Sequence, residues 1–145
     1  MKLYVIGAAA ITAAVCSTVV NAQSLKDKEY FASEEKSLAE EAKYYVGKCE
    51  ANVTVKFDWS SPPKSEDRSR NSASGYCKQS LEALGRICES SQTGKDAVKQ
   101  KIKSWTCGFG KRSIALKDGA VDWKVDFNTP GNDADFAFEY LQNHL

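Results

Sequence analysis

The chain has 145 residues, 42% of them apolar and 27% charged, with 9 Gly and 3 Pro. That length suits one domain, and the balance excludes a disordered, collagenous or multi-span membrane chain. Lys and Arg number 20 against 19 Asp and Glu, so no net field marks a nucleic-acid partner.

Met1 and Lys2 precede an uncharged apolar stretch from Leu3 to Val20, and Val20-Asn21-Ala22 leads into Gln23. A basic start, a hydrophobic middle and small residues before a cut are the layout of a secretory signal. The expected organisation is a signal peptide over 1–22 and a single disulfide-bonded domain over 23–145, secreted or periplasmic, with no stable membrane anchor after cleavage. An uncleaved anchor is the competing reading, since about 18 apolar residues can just span a bilayer. Val15 before Cys16 argues against lipid attachment, which wants a small residue there.

Phe31, Leu38, Ala42 and Tyr45 fall on one face at helical pitch, which predicts an amphipathic helix. Ser33, with Glu34 and Glu35 behind it, offers one start; Ser24 with Asp27 offers an earlier one; Gly47 supplies the stop. From Ala51 the pattern becomes alternation, with Val53, Val55, Phe57 and Trp59 facing one way, and this predicts a strand with one buried face. Ser60 to Ser74 holds Pro62-Pro63, serines and mixed charge, and reads as a long loop.

Tyr76 to Glu89 places Cys77, Leu81, Leu84 and Cys88 on one helical stripe. Thr93-x-x-Asp96 has the form of a capping box for a short helix through Lys103, with Val98 and Ile102 inward and Lys95, Lys99 and Lys103 on a solvated outer face. Alternating runs then follow: Trp105, Cys107 and Phe109; Ile114 and Leu116; Val121, Trp123, Val125 and Phe127. Gly110-Lys111 and Asp118-Gly119 are placed to turn between them. Two-residue turns at both points would oppose Ile114 to Trp123 and Cys107 to Ile114, which puts every apolar residue on one face and predicts a three-stranded meander.

Asn132 or Asp133 caps a last helix whose apolar residues spread over about 200°, twice what docking on a single surface needs. If Phe138, Leu141 and Leu145 dock on the sheet, then Phe136 and Tyr140 meet the first helix or stay available to a partner. They are the candidate interface residues. The expected fold class is α+β: a four-stranded antiparallel sheet, made of one strand plus the meander, with helices packed mainly on one face and two disulfides.

Signal cleavage removes Cys16 from the 5 cysteines and leaves Cys49, Cys77, Cys88 and Cys107, an even set suited to two disulfides in an oxidising compartment. Cys77 and Cys88 share a predicted helix, where they stand about 16 Å apart, too far to bond. Two pairings remain. Cys49 with Cys77 and Cys88 with Cys107 is favoured because it closes the shorter loops; Cys49 with Cys88 and Cys77 with Cys107 is the other.

Catalytic patterns are sparse. His144, the one histidine, sits in the last turn of the last helix. Ser33-x-x-Lys36 and Ser61-x-x-Lys64 lack the companion motifs of penicillin-recognising enzymes, and Gly108-x-Gly110-Lys111 lacks phosphate-loop spacing. Asp126, Asn128, Asn132, Asp133 and Asp135 crowd oxygen ligands around a turn, but Pro130 and Ala137 stand where an EF-hand loop needs other residues. Asn52-Val53-Thr54 matches a glycosylation acceptor for a eukaryotic host. No catalytic residue, metal or cofactor is assigned. The expected function is a non-enzymatic inhibitor, immunity-like or adaptor domain whose partner is another extracytoplasmic protein. A small hydrolase using Asp122, Asp126, Asp133 and Asp135, or a structural envelope protein, is the alternative.

Overall fold

The computed structural model describes residues 24–128 and 131–145; the expected signal segment, Cys16 included, lies outside them. The first helix, α1 (Leu25–Cys49), takes the earlier of the two starts, because the Ser24 Oγ accepts from the Asp27 N–H at 3.1 Å. Gly47 does not stop it. The helix continues until Glu50 turns left-handed at φ 50°, and that turn is held by Lys95 and Lys99, whose Nζ atoms lie 2.8 and 3.2 Å from the Glu50 carboxylate. Two of the three lysines expected on a merely solvated face therefore brace the end of α1.

In chain order there follow β1 (Thr54–Phe57), α2 (Ser65–Arg68), α3 (Ala73–Ser90), α4 (Gln92–Lys101), β2 (Ser104–Phe109), β3 (Ser113–Lys117), β4 (Ala120–Val125) and α5 (Asp133–His144). The segment read as one long loop thus contains the single turn α2, and α3 starts earlier than Tyr76, where the Ser72 Oγ accepts from the Gly75 N–H at 3.1 Å. The cap of α4 is Ser91 and not Thr93. The Gln92 side-chain amide donates to the Asp96 carboxylate at 2.9 Å, so the acid of the expected capping box is engaged elsewhere.

The fold is α+β, with a four-stranded sheet in the order β1-β2-β4-β3. It is mixed, which corrects the antiparallel meander: β1 pairs with β2 and β2 with β4 in parallel, and only β3 and β4 are antiparallel. The Asp118-Gly119 hairpin forms with the expected register, Ile114 opposite Trp123 and Leu116 opposite Val121. Asp118 and Gly119 both have positive φ, 51° and 84°, as a type I′ turn demands. Lys111 does not adopt such a φ, and the Gly110 N–H donates to the Val125 carbonyl at 2.9 Å. The end of β2 is therefore bonded to β4, and the Gly110–Arg112 link carries the chain across β4 to the far edge.

That step spans two strand spacings, about 10 Å, within the reach of a connection from Phe109 to Ser113. It also centres the more apolar strand: Val121, Trp123 and Val125 are buried in β4, while Ile114 and Leu116 in β3 are half-buried. Parallel pairing of β1 with β2 follows from the helical crossover between them, since parallel neighbours need a long connection.

One sheet face is covered and the other open, as the alternation in β4 shows: Ala120, Asp122 and Lys124 are exposed and their neighbours buried. The core joins Trp105, Cys107, Val121 and Trp123 of the sheet to Leu81 and Leu84 of α3, with Leu38 of α1 and Leu141 of α5 closing it. Helices α1 and α3 run side by side in the same direction, marked by Glu34 at Ser74, Lys78 with Glu41 at 3.0 Å and Lys48 with Glu89 at 2.9 Å.

That alignment decides the disulfides. The last turns of α1 and α3 meet, so Cys49 bonds Cys88 at a Cα separation of 5.0 Å, and Cys77, over the sheet, bonds Cys107 at 6.1 Å. The favoured pairing is overturned and the other of the two is adopted. Loop length fails as a guide because the helices bring residues 39 positions apart together. Two intramolecular disulfides are compatible with an extracytoplasmic location, and no helix among the described residues is long and apolar enough to cross a membrane.

Candidate binding surface

The two sequence-predicted interface residues lie where α5 passes along β3, the outer strand of the hairpin. Asn132 caps α5 by accepting from the Asp135 N–H at 3.1 Å. Next to it, Asp133 is 3% exposed and lies 3.3 Å from Arg112. Burial pushes the Asp133 carboxyl above its ordinary range, against the opposing pull of the Arg112 guanidinium. Arg112 in turn covers the ring of Phe136, its guanidinium carbon 4.9 Å from the ring centroid, and Phe136 also meets Trp123 at 6.0 Å. Phe136 remains 38% exposed. A large aromatic held against an indole and a guanidinium and still open to solvent has the character of an interface anchor.

Tyr140, one turn on, is already engaged. Its hydroxyl accepts from the Leu116 N–H at 2.8 Å, and its ring stacks on His144 at 3.9 Å. The strand pairing turns Ile114 and Leu116 backbone groups away from β4, so Tyr140 occupies part of an outer edge that would otherwise invite another strand. Lys111 and Lys117 flank that edge, a further deterrent to strand addition. The placement of α5 differs from the docking expected of it, but leaves Phe136 open, the second of the two alternatives, and Leu141 fully buried. Phe136 and Tyr140 face the sheet edge and not α1; Phe138 lies toward α3, under Arg86 at 4.3 Å; Leu141 and Leu145 border a groove with Ile87 of α3 and Ala97 of α4. The helix does touch two surfaces, as its wide apolar arc requires.

The carboxylates considered for hydrolysis do not form one group of four, although Asp126 lies near enough to Asp133 to push its carboxyl further up. Asp122 stands on the open sheet face, Asp133 is held by Arg112, and Asp135 lies 2.6 Å from Arg86 while its backbone N–H serves the Asn132 cap. Asp126 accepts from the Asn128 N–H at 2.9 Å. Among the described residues, no group of three His, Cys, Asp or Glu side chains is arranged to hold a metal ion. Asn52 is exposed ahead of β1.

A second feature was not read from the sequence. The parallel strands β1, β2 and β4 end together, and their last residues and successors bring aromatic rings to one end of the sheet. Trp59 stacks on Phe109 at 5.1 Å, Phe109 meets Phe127 at 5.9 Å, Phe127 meets Tyr76 at 4.8 Å, and Phe31 of α1 meets Trp59 at 4.5 Å. All five rings are half-buried. In front of Phe109 and Phe127 lies a cleft of about 410 Å³ whose other wall is Ser61, Pro62, Pro63, Lys64 and Asp67.

Polar ties to α1 hold that wall and the chain after it. Arg68 donates to Asp27 at 2.6 Å, Glu34 accepts from the Ser74 N–H at 2.6 Å and from the Ser72 hydroxyl at 3.1 Å, and the Ser74 hydroxyl donates to Ser37 at 3.0 Å. Pro62-Pro63 followed by serines and charge gave no periodicity to read, and the rings belong to five separate elements or their flanks. No protein-family model matches the chain, and no curated protein or solved structure matches it either.

Proposed function

We propose that this chain is a secreted or periplasmic, non-enzymatic binding protein, an inhibitor, immunity-like or adaptor domain, acting through a protein–protein surface on α5 and β3. The observation that carries this reading is Phe136, 38% exposed although in contact with both Trp123 and Arg112. Aromatic and arginine side chains together are the usual centre of a protein interface, and a ring held by such contacts loses little conformational entropy on binding. The scaffold beneath it favours rigid recognition: α3 is bonded through Cys88 to α1 and through Cys77 to β2. The signal-like first residues and the disulfides support the extracytoplasmic placement.

The carboxylate hydrolase has less behind it, because Asp133 and Asp135 are engaged by arginines and Asp122 stands apart on the open face. The experiment is capture from native envelope or secreted extract with the oxidised protein as bait and a Phe136→Asp variant as control. A protein retained by the native chain and lost by the variant supports the reading. Equal retention by both removes α5 from the functional account.

A further inference from the structure

We propose that the cleft at the carboxyl ends of β1, β2 and β4 is a saccharide-binding site for a neutral oligosaccharide of two or three residues. Its position is the first argument: β1, β2 and β4 run parallel and end on the same side, so the residues at and after the ends of β2 and β4 converge on one crevice. The second is size, since about 410 Å³ lies in the range of small-molecule sites and exceeds what a single ion needs. The third is chemistry. Phe109 and Phe127 line it half-buried; Phe109 is stacked with Trp59 at 5.1 Å and Phe57 at 5.9 Å, and Phe127, tilted against Tyr76 at 4.8 Å, offers the ring face to the cleft. Sugar rings present C–H faces that pack on aromatic faces, and their hydroxyls both donate and accept hydrogen bonds.

The rim meets both needs. Lys64 and Lys111 can donate and the carboxylate of Asp67 can accept, while Asp126, which already accepts from the Asn128 N–H at 2.9 Å, completes the charge of the rim. Two cations balance two anions, which selects against a nucleotide or a free phosphate and for an uncharged, hydroxyl-rich ligand. The cleft is lined by none of the α5 residues on which the protein-binding reading rests, so either proposal can fail alone.

The test is a titration of the oxidised, isotope-labelled protein with neutral trisaccharides of glucose, mannose and N-acetylglucosamine in several linkages, followed by amide chemical shifts. Inorganic phosphate and a proline-rich peptide serve as the other arms. Expected are saturable shifts confined to Ser61–Asp67, Phe109–Lys111 and Val125–Asn128 with at least one sugar, weakened about tenfold or more by Phe127→Leu, which removes the flat ring face and keeps apolar volume. Should that variant not fold, Asp67→Asn on the half-exposed wall replaces it, with the same loss expected. Four results overturn the proposal: no shift with any sugar up to about 10 mM, shifts centred elsewhere, full binding by the variant, or shifts from phosphate or the peptide while the sugars give none.

Discussion

Replacing Gly85 by Ala probes how closely α1 and α3 approach. A Cβ at Gly85 would stand 2.9 Å from Tyr45 Cδ1 and 3.3 Å from Lys48 Cδ. Tyr45 has little room to retreat, being 8% exposed with its ring edge-on to Tyr44 at 4.9 Å. Nor can α1 move away as a body, because the Cys49–Cys88 bond, one turn further along both helices, fixes a Cα separation of 5.0 Å. Against this, Gly to Ala in a helix interior gains about 1 kcal/mol of propensity. Overpacking a fixed contact costs about 1 to 3 kcal/mol. The expected net is a loss near 1 kcal/mol, or about 4 °C in Tm for a domain of this size. In a Tyr45→Ala background the obstructing ring is gone, and the same substitution should gain about 1 kcal/mol. Thermal and urea unfolding of the four oxidised proteins completes the cycle. A Gly85→Ala effect of the same sign in both backgrounds would refute the argument that Tyr45 sets the helix spacing.

Peptide mapping without reduction should recover Cys49 joined to Cys88 and Cys77 joined to Cys107. Removing the first bond by Cys49→Ala with Cys88→Ala should cost about 4 kcal/mol by loop-closure entropy, and a recovered Cys49–Cys77 peptide would contradict the helix alignment. Gly119→Val should cost about 1 kcal/mol or more, since its φ is 84° and a Cβ would meet the Lys103 side chain at 3.3 Å; an unchanged Tm would mean the hairpin turn is of another type. Asp133 gives a pH signature. Because burial raises its carboxyl in the folded state, its stability contribution is full below the ordinary carboxyl range and is lost as pH rises through the raised value. The stability of Asp133→Asn relative to the native chain should therefore rise from about pH 4 to pH 7. A fall across that window would show that Arg112 outweighs burial.

Much of the sheet was legible in alternation alone. Turn arithmetic put Cys107, Ile114 and Trp123 in one row across the strands, and they share a row with Phe57. What it could not supply is the order within the row: a period of two fixes faces and rows, but moving β4 between β2 and β3 preserves both. The signal that separates the two turns is chemical, since Asp-Gly accepts positive φ at both positions and Gly-Lys does not. Disulfide pairing failed for a related reason. Loop length measures the unfolded chain, whereas the parallel packing of α1 on α3 is a tertiary fact carried by contacts such as Glu34 at Ser74. Helix ends followed local acceptors: of the alternatives offered, Ser24 and not Ser33 caps α1 and Asn132 caps α5, while Gly47 is passed over and its carbonyl accepts from the Glu50 N–H that closes the helix. Of the candidate interface, Phe136 is open and Tyr140 occupies part of the sheet edge, a division that the helical arc alone did not contain.

The most direct measurement is the fraction of partner captured by Phe136→Ala per mole of folded protein, with the unfolding free energy taken on the same sample. The ring is 38% exposed, and an indole and a guanidinium lie against it. The account predicts a stability loss of no more than about 1 to 2 kcal/mol together with loss of capture. A loss of about 3 to 5 kcal/mol, the cost of emptying a true core site, or capture equal to that of the native chain, would contradict it.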